Sequence, residues 1–110
     1  MRIPQVNDEA WTNIVKVAAS PVFTVWTVAG HGGSHKLEAR CRIVAEEYDD
    51  RMIFLAVSVV ENPSIAPVDV ELPRVTVHRQ GRLVWSSCRP SLEELRAGIE
   101  RALERKGGIA

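Results

Sequence analysis

Two long apolar runs constrain this chain more than any other feature. Val22-Phe23-Thr24-Val25-Trp26-Thr27-Val28 is β-branched or aromatic almost throughout, and Met52 to Val60 is a second apolar run. A strand with one wet face alternates in polarity. A run without alternation has both faces covered, so each run is expected to be a central strand. Between them, from about Ser34 to Tyr48, the period becomes helical. Leu37, Cys41, Val44, Ala45 and Tyr48 fall on one face, and Glu38, Arg42, Glu46 and Glu47 fall mostly away from it. Strand, crossover helix, strand is a βαβ unit, whose strands are parallel.

The flanking segments complete the pattern. Ile3 to Val6 is short and carries Pro4, which cannot donate to a ladder, so any strand there belongs at a sheet edge. Asn7 or Asp8 can cap a helix whose buried face is Trp11, Ile14, Val15 and Ala18, ended by Ser20-Pro21. Glu61 to Pro67 reads as a loop with room for one helical turn. Arg74 to Arg79, the turn Gln80-Gly81 and Leu83-Val84-Trp85 form a β-hairpin. Ser91 and Glu94 make a capping box for a last helix with Leu92, Leu95, Ile99 and Leu103 on one face, stopped by Gly107-Gly108. The expected order is β-α-β-α-β-β-β-α in a single domain over residues 1–110, a length that suits one hydrophobic core.

Charge and cysteine content narrow the partners. Fourteen Lys+Arg balance fourteen Asp+Glu, and no run of basic residues exceeds two, so nothing points to nucleic acid. Two cysteines, Cys41 and Cys88, are too few for a disulfide framework or a four-cysteine zinc site. No apolar run reaches the roughly 18 residues that span a bilayer, and Met1 to Asn7 lacks the apolar core of a signal peptide. The expected compartment is a reducing cytoplasm, with no membrane partner and no cofactor.

In its order of elements the chain resembles the thioredoxin-like family. Four segments carry the resemblance: Ala45-Glu46-Glu47-Tyr48 before an aspartate turn, Val59 to Pro67 after the second apolar run, Leu72-Pro73-Arg74 leading through an apolar strand to Gly81 and Val84, and the gapless stretch from Pro21 to Tyr48. The resemblance implies a central mixed sheet of four or five strands with helices on both faces, and a cis peptide bond before Pro73. It also implies what has been lost. The family's Cys-Gly-Pro-Cys motif falls on His31-Gly32-Gly33-Ser34, its buried acid on Val25, and the tryptophan before the motif on Gly30. Dithiol exchange needs a thiolate and a second sulfur to resolve the mixed disulfide, and neither imidazole nor hydroxyl can serve.

The remaining chemistry is sparse. His31 and His35 stand four apart, a spacing that shares a metal on a helix, but no third ligand lies near, so a polar loop is the better reading and no metal site is assigned. Gly30 to Lys36 offers helix-terminal amides to an anion without the full phosphate-loop spacing. Ser34 with His31 or His35 lacks an orienting acid. Cys41 reads as a small buried hydrophobe, and Cys88 as a loop thiol beside Arg89. Trp11, Trp26 and Trp85 all read as packing, Trp85 with room to be half exposed in its edge hairpin. The resemblance therefore implies a redox-inactive binding, chaperone or assembly subunit with no catalytic residues. It would hold an extended protein segment through Gly30, His31, Gly32, Gly33, Ser34, His35, Leu72, Pro73, Arg74 and Cys88. The alternative is an enzyme that reuses the site through His31 and Ser34, or through Cys88, on a thiol or glutathione-like substrate.

Overall fold

A computed structural model describes residues 3–104; the expected helix stop at Gly107-Gly108 lies outside them. The first helix, α1 (Asp8–Val17), begins where Asn7 accepts the Ala10 amide at 2.9 Å. A second asparagine supports the same turn: Asn62, buried in a distant loop, accepts the Asp8 amide at 2.9 Å. Together they satisfy two of the amides that a helix start leaves without partners. Strand β1 (Val22–Thr27) follows, buried along its whole length. Helix α2 (Gly32–Tyr48) then crosses to β2 (Ile53–Ser58), which pairs with β1 in parallel, Val22 opposite Ile53. The expected βαβ unit is present.

The hairpin is present as well. Strands β3 (Arg74–Arg79) and β4 (Arg82–Cys88) are antiparallel, joined through Gln80 (φ 51°) and Gly81 (φ 81°). Two successive left-handed residues give the turn whose twist matches that of the strands. Helix α3 (Leu92–Glu104) starts at the capping box, where Ser91 Oγ accepts the Glu94 amide and Glu94 Oε1 accepts the Ser91 amide. The result is an α/β structure with three helices among the described residues and a four-stranded mixed sheet ordered β2-β1-β3-β4.

Two strand expectations need correction. The run from Met52 to Val60 is not a central strand: β2 is shorter and stands at one edge of the four. Its apolar residues are covered on both faces, which is what the sequence pattern reports; position within a sheet is a separate matter. The segment at Ile3–Val6 is no strand of its own but a single bridge on the outer edge of β2. There the Val6 amide donates to Ala56 and the Ala56 amide to Pro4.

The two faces of the sheet are covered unequally. Phe23, Val25, Phe54, Ala56, Val75 and Val77 pack under α2 and α3, against Leu37, Cys41, Val44, Leu95 and Ile99. That layer is closed outside by Arg96, which grips both carboxylate oxygens of Glu47, and by Tyr48 donating to Glu100 at 2.7 Å. The opposite face carries α1 alone, whose Val15 meets Val22 and Leu55. Residues 59–73 form turns without a helix, so no helix covers β3 and β4 on that side among the described residues.

Candidate functional site

Strand register brings the expected site residues to one end of the sheet. Trp26, one residue before the end of β1, pairs with Arg74, the first residue of β3, and Arg74 pairs with Cys88, the last residue of β4. The 28–31 turn leading into α2, the Leu72–Pro73 segment and the Cys88–Arg89 segment therefore adjoin. The Leu72–Pro73 peptide is cis. Arg40 on α2 donates to the Pro90 carbonyl at 2.9 Å, fixing the stretch after β4 against the helix.

The individual residues differ in how available they are. His31 is the N-cap of α2, exposed, with Nδ1 accepting the Gly33 amide at 3.0 Å. Gly30 (φ 81°) sits in a left-handed turn that favours glycine, and it, Gly32 and His35 are exposed. Gly33 is half-buried: a Cβ there would approach His31 Cε1 to 3.0 Å and Arg89 Cδ to 3.3 Å. Arg89 itself is held in the left-handed region (φ 47°), which costs a non-glycine residue on the order of 1 kcal/mol. Leu72 and Cys88 are half-buried and Pro73 is buried.

Two placements depart from expectation. Ser34 points inward rather than lining an open surface: its Oγ accepts the Val28 amide at 2.9 Å and donates to the Val28 carbonyl at 3.2 Å. A hydroxyl held by both backbone groups of one residue pins the turn between β1 and α2, and His31 is not its partner. Arg74 is half-buried rather than at the surface. Its Nε donates to the Glu71 carbonyl at 3.1 Å and its Nη1 to Ser86 Oγ at 2.6 Å.

The cysteines divide cleanly. Cys41 is fully buried on the inner face of α2, and burial pushes its thiol from 9.0 up to about 12. Cys88 is half-buried and free, with Sγ 3.7 Å from a Glu71 carboxylate oxygen. Alkylation of the folded chain is expected to label Cys88 alone, and the unfolded chain to take two adducts, as read by intact-mass spectrometry. Labelling of Cys41 at the same rate as Cys88 would contradict this burial.

Sequence reading missed a second recess, beside the first. On the side of the sheet that α1 only partly covers, a cavity of about 270 Å³ is lined by Trp11, Trp26, Arg74, Thr76, His78 and Leu83 together with the 65–70 loop and Ser86. Trp11 meets Trp26 and His78 edge-on at 5.2 and 5.3 Å. Both indoles are satisfied, donating to Thr24 and Thr76. His78 Nδ1 is buried without a hydrogen-bond partner, and burial lowers the pKa of the ring below 6.5. The period-2 pattern of Arg74, Thr76 and His78 put these residues on one face, but nothing local said that no helix would cover them.

The histidine has a pH consequence. Between its folded and unfolded pKa values the unfolded chain binds the proton more readily, so stability rises with pH. The contribution is complete above 6.5 and is lost as pH falls below it. The urea midpoint of the protein is expected to drop between pH 7.5 and pH 5.5, and His78→Phe to flatten that drop. An equal slope in the variant would assign the effect to other groups.

Among the described residues no group of three or more His, Cys, Asp and Glu could hold a metal ion, and no helix is long and apolar enough to cross a membrane. In sequence, the chain matches no protein-family model and no curated protein.

Proposed function

We propose that this chain is a redox-inactive, thioredoxin-like binding module that holds an extended segment of a partner protein at the end of the sheet where β1, β3 and β4 meet α2, in a chaperone or assembly role. The observation that carries the reading is the adjacency of three segments: the glycine-rich turn at 30–33, Leu72–Pro73, and Cys88–Arg89. Small residues on one side leave room for a main chain, and loop backbone on the other offers amide and carbonyl groups to it. The order of strands, with a parallel pair beside an antiparallel hairpin and helices on both faces, supports the thioredoxin-like assignment. His31 and Ser34 are spent on local backbone bonds, and both cysteines are free and lie outside the start of α2.

The test has two arms. In an insulin-reduction assay with dithiothreitol, the wild-type chain is expected to give no acceleration, whereas the His31→Cys/Ser34→Cys chain should form a disulfide and accelerate weakly. In affinity capture from the native source, Gly33→Trp and Arg74→Glu are expected to reduce recovery of a wild-type partner by about tenfold or more. Lys16→Glu, on an exposed part of α1, should leave recovery unchanged. Thermal unfolding of each variant separates lost binding from lost folding. A partner retained through changes at Gly33, Arg74 and Cys88 alike would put the interface elsewhere.

A further inference from the structure

The recess beside Trp11 holds an unneutralised cation among apolar walls, and that combination selects a ligand. Trp11 and Trp26 form its aromatic wall, while Val68, Val70 and Leu83 at its rim are 75%, 43% and 58% exposed. Large apolar side chains standing together in water mark a binding surface more often than a structural one. Arg74 is the cation. It makes no ion pair among the described residues, and its bonds to the Glu71 carbonyl and Ser86 hydroxyl use two of the five N–H donors of a guanidinium. Those two bonds also fix the plane of the group before any ligand arrives. An anion reaching it would meet a preorganised donor at little entropic cost.

We propose that this recess is a binding site for a small monocarboxylate with an aromatic or branched apolar body, the carboxylate on Arg74 and the body against Trp11 between the 65–70 loop and Leu83. The volume of about 270 Å³ limits the body to one ring or its aliphatic equivalent, on the order of ten non-hydrogen atoms with the carboxylate. A dianion is disfavoured because Arg74 is the only cationic side chain lining the recess. The wall carries only two hydroxyls, each already accepting one bond, Thr76 from Trp26 and Ser86 from Arg74, so a polyhydroxylated ligand has few groups to pair with. His78 lines the same recess as well, and its Nδ1 is buried without a hydrogen-bond partner. This inference does not rest on the protein-binding reading, although Arg74 belongs to both: the small ligand would lie on the face of the sheet beside α1, the partner segment across the sheet end.

The experiment titrates the purified chain with phenylpropionate and, separately, with phenylpropanamide, its neutral near-isostere. Tryptophan emission is followed; Trp85 lies on the other face and supplies a constant background. The carboxylate is expected to bind saturably and about tenfold more tightly than the amide, the worth of one charge-assisted contact. Arg74→Gln should erase that preference while leaving amide binding in place, and Arg74→Lys should restore part of it. Leu83→Asp should weaken both ligands. Equal affinity for acid and amide in the wild type, a preference that survives Arg74→Gln, or no saturable response up to the solubility of phenylpropionate would each overturn the proposal. Since no protein partner enters the assay, its failure leaves the capture experiment untouched, and the reverse also holds.

Discussion

Trp26→Ala is expected to remove about 4 kcal/mol of folding stability. The side chain is 1% exposed, lies edge-on to Trp11 at 5.2 Å and donates to Thr76 at 2.8 Å across the β1–β3 pair. Truncation empties the largest fully buried side chain of the molecule and leaves the Thr76 hydroxyl, itself 4% exposed, without its donor. A domain of this size has about 5–15 kcal/mol in total, so urea unfolding should show the variant near the edge of stability. Trp26→Phe separates the two contributions. It keeps most of the packing and loses the indole donor, for an expected loss of about 1–2 kcal/mol. If Trp26→Phe were as damaging as Trp26→Ala, the hydrogen bond rather than the volume would dominate, contrary to the packing described here.

Gly98→Ala should destabilise the folded chain although alanine is the better helix former. A Cβ at position 98 would fall inside the Trp85 indole, which lies directly on the α3 backbone. Overpacking of this kind costs about 1–3 kcal/mol, against a helical gain of about 1 kcal/mol for replacing glycine. The expected net loss is about 1–2 kcal/mol, toward the upper end of that balance, because the added Cβ would meet the body of the indole ring rather than the tip of a flexible chain. The sign should invert in a Trp85→Ala background, where the clash is gone and only the helical gain of about 1 kcal/mol is left. A double-mutant cycle in urea measures this directly. Additive effects would mean that Trp85 does not rest on Gly98.

These two sites show what was and was not readable beforehand. Trp26 stood in a run with no polar alternation, and such a run has one physical meaning, coverage on both faces. The parallel pairing of β1 with β2, the Gln80-Gly81 hairpin and the Ser91–Glu94 box were legible for the same reason: each rests on local spacing. Gly98 carried no signal, because its contact lies thirteen residues away and depends on how α3 folds back over β4. Ser34 falls at the join between the glycine-rich break and the helical period, where nothing local shows which way its hydroxyl points. Its inward turn supplies a partner to the Val28 amide and a second donor to the Val28 carbonyl, which also accepts the His31 amide; only the folded backbone reveals this. The exposed half of the sheet was illegible too, since it results from a helix that residues 59–73 do not form. The sequence placed the candidate residues at one sheet end, where strand register does bring them together, but it did not show how far each is covered: Arg74 and Gly33 are half-buried, and Cys88 faces Glu71.

The bridge between Gln5 and Ala56 bears on how copies of this molecule could join. It occupies the middle of β2's outer margin, where Pro4 and Val6 take the hydrogen bonds that a neighbouring strand would otherwise claim. Among the described residues, strand β4 at the other margin has no such cover from a fifth strand. Filament growth needs two receptive margins on every unit, one to receive and one to offer. With the middle of one margin taken by residues 4–6, β4 is the more open margin among the described residues, which favours joining in pairs over continued growth.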